Sequence, residues 1–200
     1  FNLNMYIPNN EILNSLFFDI ETIPKCKYSE LSELEIHLWS SIAQKLRYKN
    51  IEDKDKTDEE LWPNAGLYAE FGKIICMAIG LYNSQQNIIY YRELKGENEI
   101  SIINDFFEIM SKLELKCSSL MLAGYNIENF DIPFVLKRCL ILGIKPHNLF
   151  NSYGKKPWDI HNLDLAKVWM GTGFQDRYMI KLEILCYSLG VETPKTDLYG

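Results

Sequence analysis

The sequence has few cysteines and no pattern among them. Cys26, Cys76, Cys117, Cys139 and Cys186 are scattered without a C-x-x-C pair, and His37, His147 and His161 stand at no metal-ligand spacing. This disfavours a zinc site or a disulfide framework and points to reduced thiols in a cytoplasmic protein. Positive charge is also short, with 21 Lys and Arg against 27 Asp and Glu for a net charge of −6. That excludes a histone-like basic binder but leaves room for a local groove that takes a strand end. Apolar runs such as Ile74 to Tyr82 fall well below the roughly 20 residues a membrane-spanning helix needs. Phe1-Asn2-Leu3-Asn4 has neither a basic nor an apolar leader region, so no secretory leader is expected. Internal repeats and low-complexity tracts are absent.

What is present is a chain of 200 residues, 47% apolar and 24% charged, the profile of a single globular domain with a hydrophobic core. Asn14 to Thr22 carries an apolar run ending in two acids and predicts a central strand buried on both faces. Leu34, Leu38, Trp39, Ile42 and Leu46 recur at three and four, predicting an amphipathic helix over 31–46. After it, Glu52 to Glu60 is a mixed-charge tract without core-forming residues, expected as a solvated loop or frayed helix whose mobility suits a lid. Lys73 to Tyr82 and Asn87 to Arg92 predict two antiparallel strands joined at Asn83-Ser84-Gln85-Gln86. Helices are expected over 99–115, over 134–142 ending at Gly143, and over 179–189 ending at Gly190. Pro133 is placed at a first helical position. Short strands are expected at 118–124 and 158–163, the latter leading into a helix through Met170. The fold class is therefore α/β, with a mixed sheet of three antiparallel strands followed by parallel strands and flanked by helices.

Chemistry concentrates in carboxylates. In Asp19-Ile20-Glu21 the two acids are two residues apart, so on a strand both point to one face while Ile20 points to the other. Such a pair repels itself unless a cation neutralises it, and hard oxygen donors suit Mg2+ or Mn2+. A second constellation lies in Gly124-Tyr125-Asn126-Ile127-Glu128-Asn129-Phe130-Asp131-Ile132-Pro133. Asp131 stands at a helix start, where an acid also serves as a cap, and Asn126 and Asn129 suit turns.

Asp19-Ile20-Glu21-Thr22, followed by Tyr125-Asn126 with Phe130-Asp131-Ile132-Pro133, resembles the first two motifs of the DEDD superfamily. The likeness is to the proofreading 3'-5' exonuclease domain of family-B DNA polymerases and its stand-alone bacterial relatives. It covers nearly the whole chain except an insertion at about 24–63, a helical and charged segment. The resemblance implies a ribonuclease H-like core and a metal-dependent 3'-5' exonuclease that releases nucleoside monophosphates from the 3' end of single-stranded DNA. It implies two divalent ions, Mg2+ or Mn2+, with Asp19 bridging both, Glu21 holding one beside the terminal nucleotide, and Asp131 supporting the second. Asn126 and Phe130 would position the strand, Phe130 by stacking on a base or as a core residue, with Thr22 and Tyr125 as further contacts.

The superfamily's final Y-x-x-x-D or H-x-x-x-x-D motif has no match here. Lys195-Thr196-Asp197-Leu198-Tyr199-Gly200 resembles the stretch that precedes it, so the sequence is expected to be truncated before the last motif and to cut weakly or not at all. Asp164, Asp176 and Asp197 are conceivable stand-ins, with a helix-start role the plainer reading of Asp164. Lys137-Arg138 and Lys155-Lys156 are candidate phosphate contacts. A second function class is a noncatalytic nucleic-acid-binding module that keeps the fold. A third, a haloacid-dehalogenase-like phosphatase, would need D-x-D where this sequence has Glu21.

Overall fold

In the computed structural model, which describes residues 9–117, 119–156, 159–171 and 180–192, a short helix α1 (Asn9–Leu13) leads into strand β1 (Ser15–Pro24). β2 (Gly72–Asn83) and β3 (Ile88–Lys95) form the expected hairpin. Its turn is set by the Asn83 side-chain carbonyl, which accepts the N–H groups of Gln85 and Gln86, and by Asn87 at positive φ. β4 (Met121–Gly124) and β5 (Asn162–Asp164) complete a sheet of order β3-β2-β1-β4-β5. β1 pairs antiparallel with β2 and parallel with β4, and β4 pairs parallel with β5. Helices α2 (Glu33–Lys49), α3 (Glu99–Glu114), α4 (Asp131–Leu142), α5 (Leu165–Met170) and α6 (Leu182–Leu189) flank it. The mixed α/β architecture is the one expected from the sequence. Pro133 is the third residue of α4, not the first, because Asp131 begins the helix.

The main core lies on one face of the sheet. Register sets Phe18 opposite Ile79, and Ile20 opposite Met77, which in turn faces Leu94, so these side chains share that face. Against them pack Ile102, Ile103, Phe106, Phe107 and Met110 of α3, together with Phe134, Val135 and Cys139 of α4. Burial pushes the Cys139 thiol up to about 11 and raises those of Cys26 and Cys76, so all three stay protonated at neutral pH. All five cysteines are free thiols. On the opposite face a smaller cluster of Ala123 and Leu163, with Ile12, Phe17, Met121 and Leu165, covers the β4–β5 side. β1 is therefore not buried on both faces as expected. Asp19 and Glu21 remain solvent-facing because the cluster on their side stops short of them.

The segment between β1 and β2 has a cluster of its own, built on Trp39, Ala43, Leu61, Trp62, Ala65 and Phe71. Trp39 meets Trp62 edge-on, with ring centroids 5.1 Å apart. The mixed-charge tract is tied down, not loose. The Trp39 indole donates to the Asp58 carbonyl at 2.8 Å, and Arg47 pairs with the Asp58 carboxylate at 2.8 Å.

α4 is fixed to the rest of the fold by a buried polar network. Arg138 donates to both Glu99 carboxylate oxygens at 2.9 and 2.7 Å and to the Ala69 carbonyl at 2.8 Å, while Glu99 also accepts the Ile74 N–H at 2.9 Å. Arg138 is 6% exposed and Glu99 8%. The phosphate contact expected of Arg138 is thereby corrected, since its donors are spent inside the protein. Lys137 lies 3.3 Å from Glu70.

Among the described residues no helix is long and apolar enough to cross a membrane. β4 ends where Gly124 passes β1. A Cβ on Gly124 would sit 2.7 Å from the Phe18 carbonyl oxygen and would also run into Ile127 Cγ2. Gly124→Ala is therefore expected to lower stability by about 1–3 kcal/mol through overpacking, read as a shifted urea midpoint at unchanged slope.

Candidate active site

β4 pairs with β1 only as far as Phe17, which faces Ala123, so the remainder of β1 runs past the end of its neighbour. The Ile20 N–H on that edge is taken by a side chain. Asp131 Oδ1 accepts it at 3.0 Å. α4 thus begins with its first carboxylate pinned against the strand that carries Asp19 and Glu21 on either side of Ile20. The alternation of β1 turns both of those acids to the open face.

The three carboxylates line one open groove of about 890 Å³. Its floor is made partly by Ala78 and Gly80 of β2, and its far wall by Lys181 and Glu183 at the start of α6. Asp131 is only 3% exposed. Burial first, and then the neighbouring Asp19 carboxylate, push its pKa up to about 7, with the Ile20 N–H pulling the other way.

Of the other residues expected at the site, Tyr125, Asn126 and Phe130 all line the groove. The Tyr125 hydroxyl donates to the Ile180 carbonyl, tying the loop after β4 to the start of α6. Asn126 adopts φ +61°, a left-handed conformation that asparagine tolerates better than most residues. Its side chain accepts from Asn129 Nδ2 at 2.9 Å, and its carbonyl accepts the N–H groups of Asn129 and Phe130. Phe130 is half-buried, 5.5 Å centroid to centroid from Phe134, so it packs on the core and borders the groove at once.

Thr22 does not join them. It is not among the groove-lining residues, and the β1–β2 register is irregular between Glu21 and Thr22. No residue of the 24–63 segment lines the groove among the described residues, which corrects the expected lid. Asp164 is buried and structural. It caps α5 through the Ala166 N–H at 3.0 Å and accepts N–H groups from Asn126 and Glu128 at 2.8 and 3.1 Å. Asp176 and Asp197 lie outside the described residues. Lys155 and Lys156 are exposed and do not line the groove. Glu183 is a groove carboxylate the sequence reading did not single out. An acid in the first turn of a helix is common enough, by its fit to the helix dipole, to carry no signal of a site.

The donor set is all oxygen, and Asp131 is held under like-charge pressure from Asp19, which fits a hard divalent cation. Among the described residues no three His, Cys, Asp or Glu side chains stand close enough to form a ready ligand cluster.

Residues 4–168 match the family described as DNA polymerase family B, exonuclease domain. Among solved structures, the chain is similar to the family B DNA polymerase from the hyperthermophilic archaeon Pyrobaculum calidifontis, at 15% identity and TM-score 0.44. That likeness covers 89% of this chain and 18% of the polymerase. No curated protein matches the sequence.

Proposed function

The chain belongs to the exonuclease-domain family of family-B DNA polymerases, and from that premise we propose that it is a metal-dependent 3'-5' exonuclease acting on the 3' end of single-stranded DNA and releasing nucleoside monophosphates. The carrying observation is the Asp131 carboxylate held 3.0 Å from the Ile20 N–H, which gathers it with Asp19 and Glu21 along one groove. Asp19, Glu21 and Asp131 would hold Mg2+ or Mn2+. Two such ions supply charge stabilisation for an in-line phosphodiester displacement and a more acidic water. The protein's own part is to orient. β1 fixes the two acids on one face, the Ile20 N–H orients Asp131, and Phe130 offers an aromatic edge to a terminal base with little sequence preference. Tyr125 and Asn126 shape the wall against which the strand end lies. We place the activity in the cytoplasm, where five free thiols stay reduced.

The test uses the complete gene product with single-stranded oligonucleotides labelled at the 5' end. Mn2+ should give a ladder shortened one nucleotide at a time from the 3' end. EDTA and Asp19→Ala should each stop it. A ladder that persists in EDTA, or shortening from the 5' end, rules the proposal out.

A noncatalytic binding module has one observation in its favour, the absence of a ready three-member ligand cluster among the described residues. Under that reading the oligonucleotide binds equally well to the wild type and to Asp19→Ala, and neither protein shortens it.

A further inference from the structure

We infer that Asp164 is a positioning residue, which holds the loop between β4 and α4 in the shape the groove needs. The inference rests on the nuclease reading above. β5 ends at Asp164 directly beside Gly124, the last residue of β4. From there its carboxylate, 2% exposed, reaches back along the loop as well as forward into α5. Oδ1 accepts the Asn126 N–H at 2.8 Å and the Ala166 N–H at 3.0 Å, and Oδ2 accepts the Glu128 N–H at 3.1 Å.

A helix cap needs only the Ala166 contact. The other two bonds go to a six-residue stretch that carries Tyr125, Asn126 and Phe130 into the groove and delivers Asp131 to the Ile20 N–H. Asn126 sits at positive φ, a backbone shape that persists when its surroundings hold it. A buried carboxylate accepting its N–H is such a hold, and charged acceptors make the stronger hydrogen bonds. α5 adds an exposed ion pair from Lys167 to Glu128 on the same loop.

Loss of the Asp164 contacts would therefore loosen strand-positioning residues and a metal-binding acid together. A displacement near 1 Å in such a group can cost about 10²-fold in rate. Asp164→Ala is expected to lower kcat about 10²-fold and to raise KM for a single-stranded oligonucleotide. Asp164→Asn keeps one acceptor oxygen and should fall between it and the wild type. Lys167→Ala should leave both constants within about twofold, because exposed ion pairs contribute little.

The independent readout is hydrogen exchange at the Asn126 and Glu128 amides. It should quicken at least tenfold at both amides in Asp164→Ala and at one of them in Asp164→Asn, while β1 and α3 stay protected. If Asp164→Asn lowers only the melting temperature, with loop exchange, kcat and KM all unchanged, Asp164 is a helix cap and the inference is wrong. If the wild type does not cleave, the nuclease reading fails instead, and the exchange experiment still decides whether Asp164 holds the loop.

Discussion

Asp131→Asn is expected to make the metal-free protein more stable at pH 8 while lowering exonuclease activity by roughly 10²–10³ or more, the loss that follows removal of one preorganised electrostatic group. The stability gain comes from the raised pKa. Burial and the Asp19 carboxylate bring Asp131 to about 7, against an ordinary value of 3.8. Below about pH 4 the group is neutral both folded and unfolded, so folding carries no charge penalty. Between about pH 4 and 7 the unfolded chain releases the proton while the folded one keeps it, and stability falls as pH rises. Above about pH 7 the full penalty applies, on the order of 4 kcal/mol. Asparagine cannot ionise, and its side-chain oxygen can still accept the Ile20 N–H. In EDTA the melting curves of the two proteins should converge near pH 4 and separate by several degrees at pH 8, with the variant higher. Adding Mn2+ should raise the wild type at pH 8 more than it raises the variant, which keeps only Asp19 and Glu21 of the three acids. A variant that melts lower than the wild type at pH 8 in EDTA would show that Asp131 is not held under electrostatic pressure.

Arg138→Met is expected to lower stability by about 3–5 kcal/mol, the usual cost of removing one partner from a buried ion pair. The size follows from what is left behind. Glu99, 8% exposed, would keep only the Ile74 N–H, and the Ala69 carbonyl would lose its donor. Pairing Arg138→Met with Glu99→Leu should recover part of the loss, because two apolar side chains replace the stranded charge. Recovery should be incomplete, since the Ile74 N–H and Ala69 carbonyl remain without these partners. Denaturant unfolding of the two single variants and the double variant supplies the cycle. Additive losses would mean that the pair is not coupled.

Much of this architecture was legible in the sequence, because it is written in local periodicity. The alternation through Phe18, Asp19, Ile20 and Glu21 states both the strand and the face of its acids. The three-and-four spacing in 99–115 states a helix, and Gly143 and Gly190 mark the helix ends they occupy. The aligned groove was legible because Tyr125 to Pro133 carries its own turn and helix start.

The parts that were not legible are contacts between residues far apart in the chain. Glu99 and Arg138 are 39 positions apart, and nothing in Lys137-Arg138 distinguishes a buried arginine from a surface one. Asp164 reads as a cap because its bond to Ala166 is local, whereas its bonds to Asn126 and Glu128 span 38 and 36 positions. Thr22 was misplaced for a different reason. Its motif neighbours Asp19 and Glu21 line the groove, whereas Thr22, one residue past them at an irregular step in the β1–β2 register, does not. The charged tract Glu52 to Glu60 read as loose because its anchors are the Trp39 indole and Arg47 on the preceding helix, outside the tract itself.

The bond from the Ile20 amide to the Asp131 carboxylate also has a spectroscopic consequence. Its proton points at the Asp131 carboxylate, whose pKa its surroundings raise to about 7, so the 15N–1H resonance of that amide serves as a built-in indicator. A proton arriving at Asp131 moves this cross-peak, and so would a divalent ion held there under the proposed function, so either event can be followed in solution without a nucleic acid present.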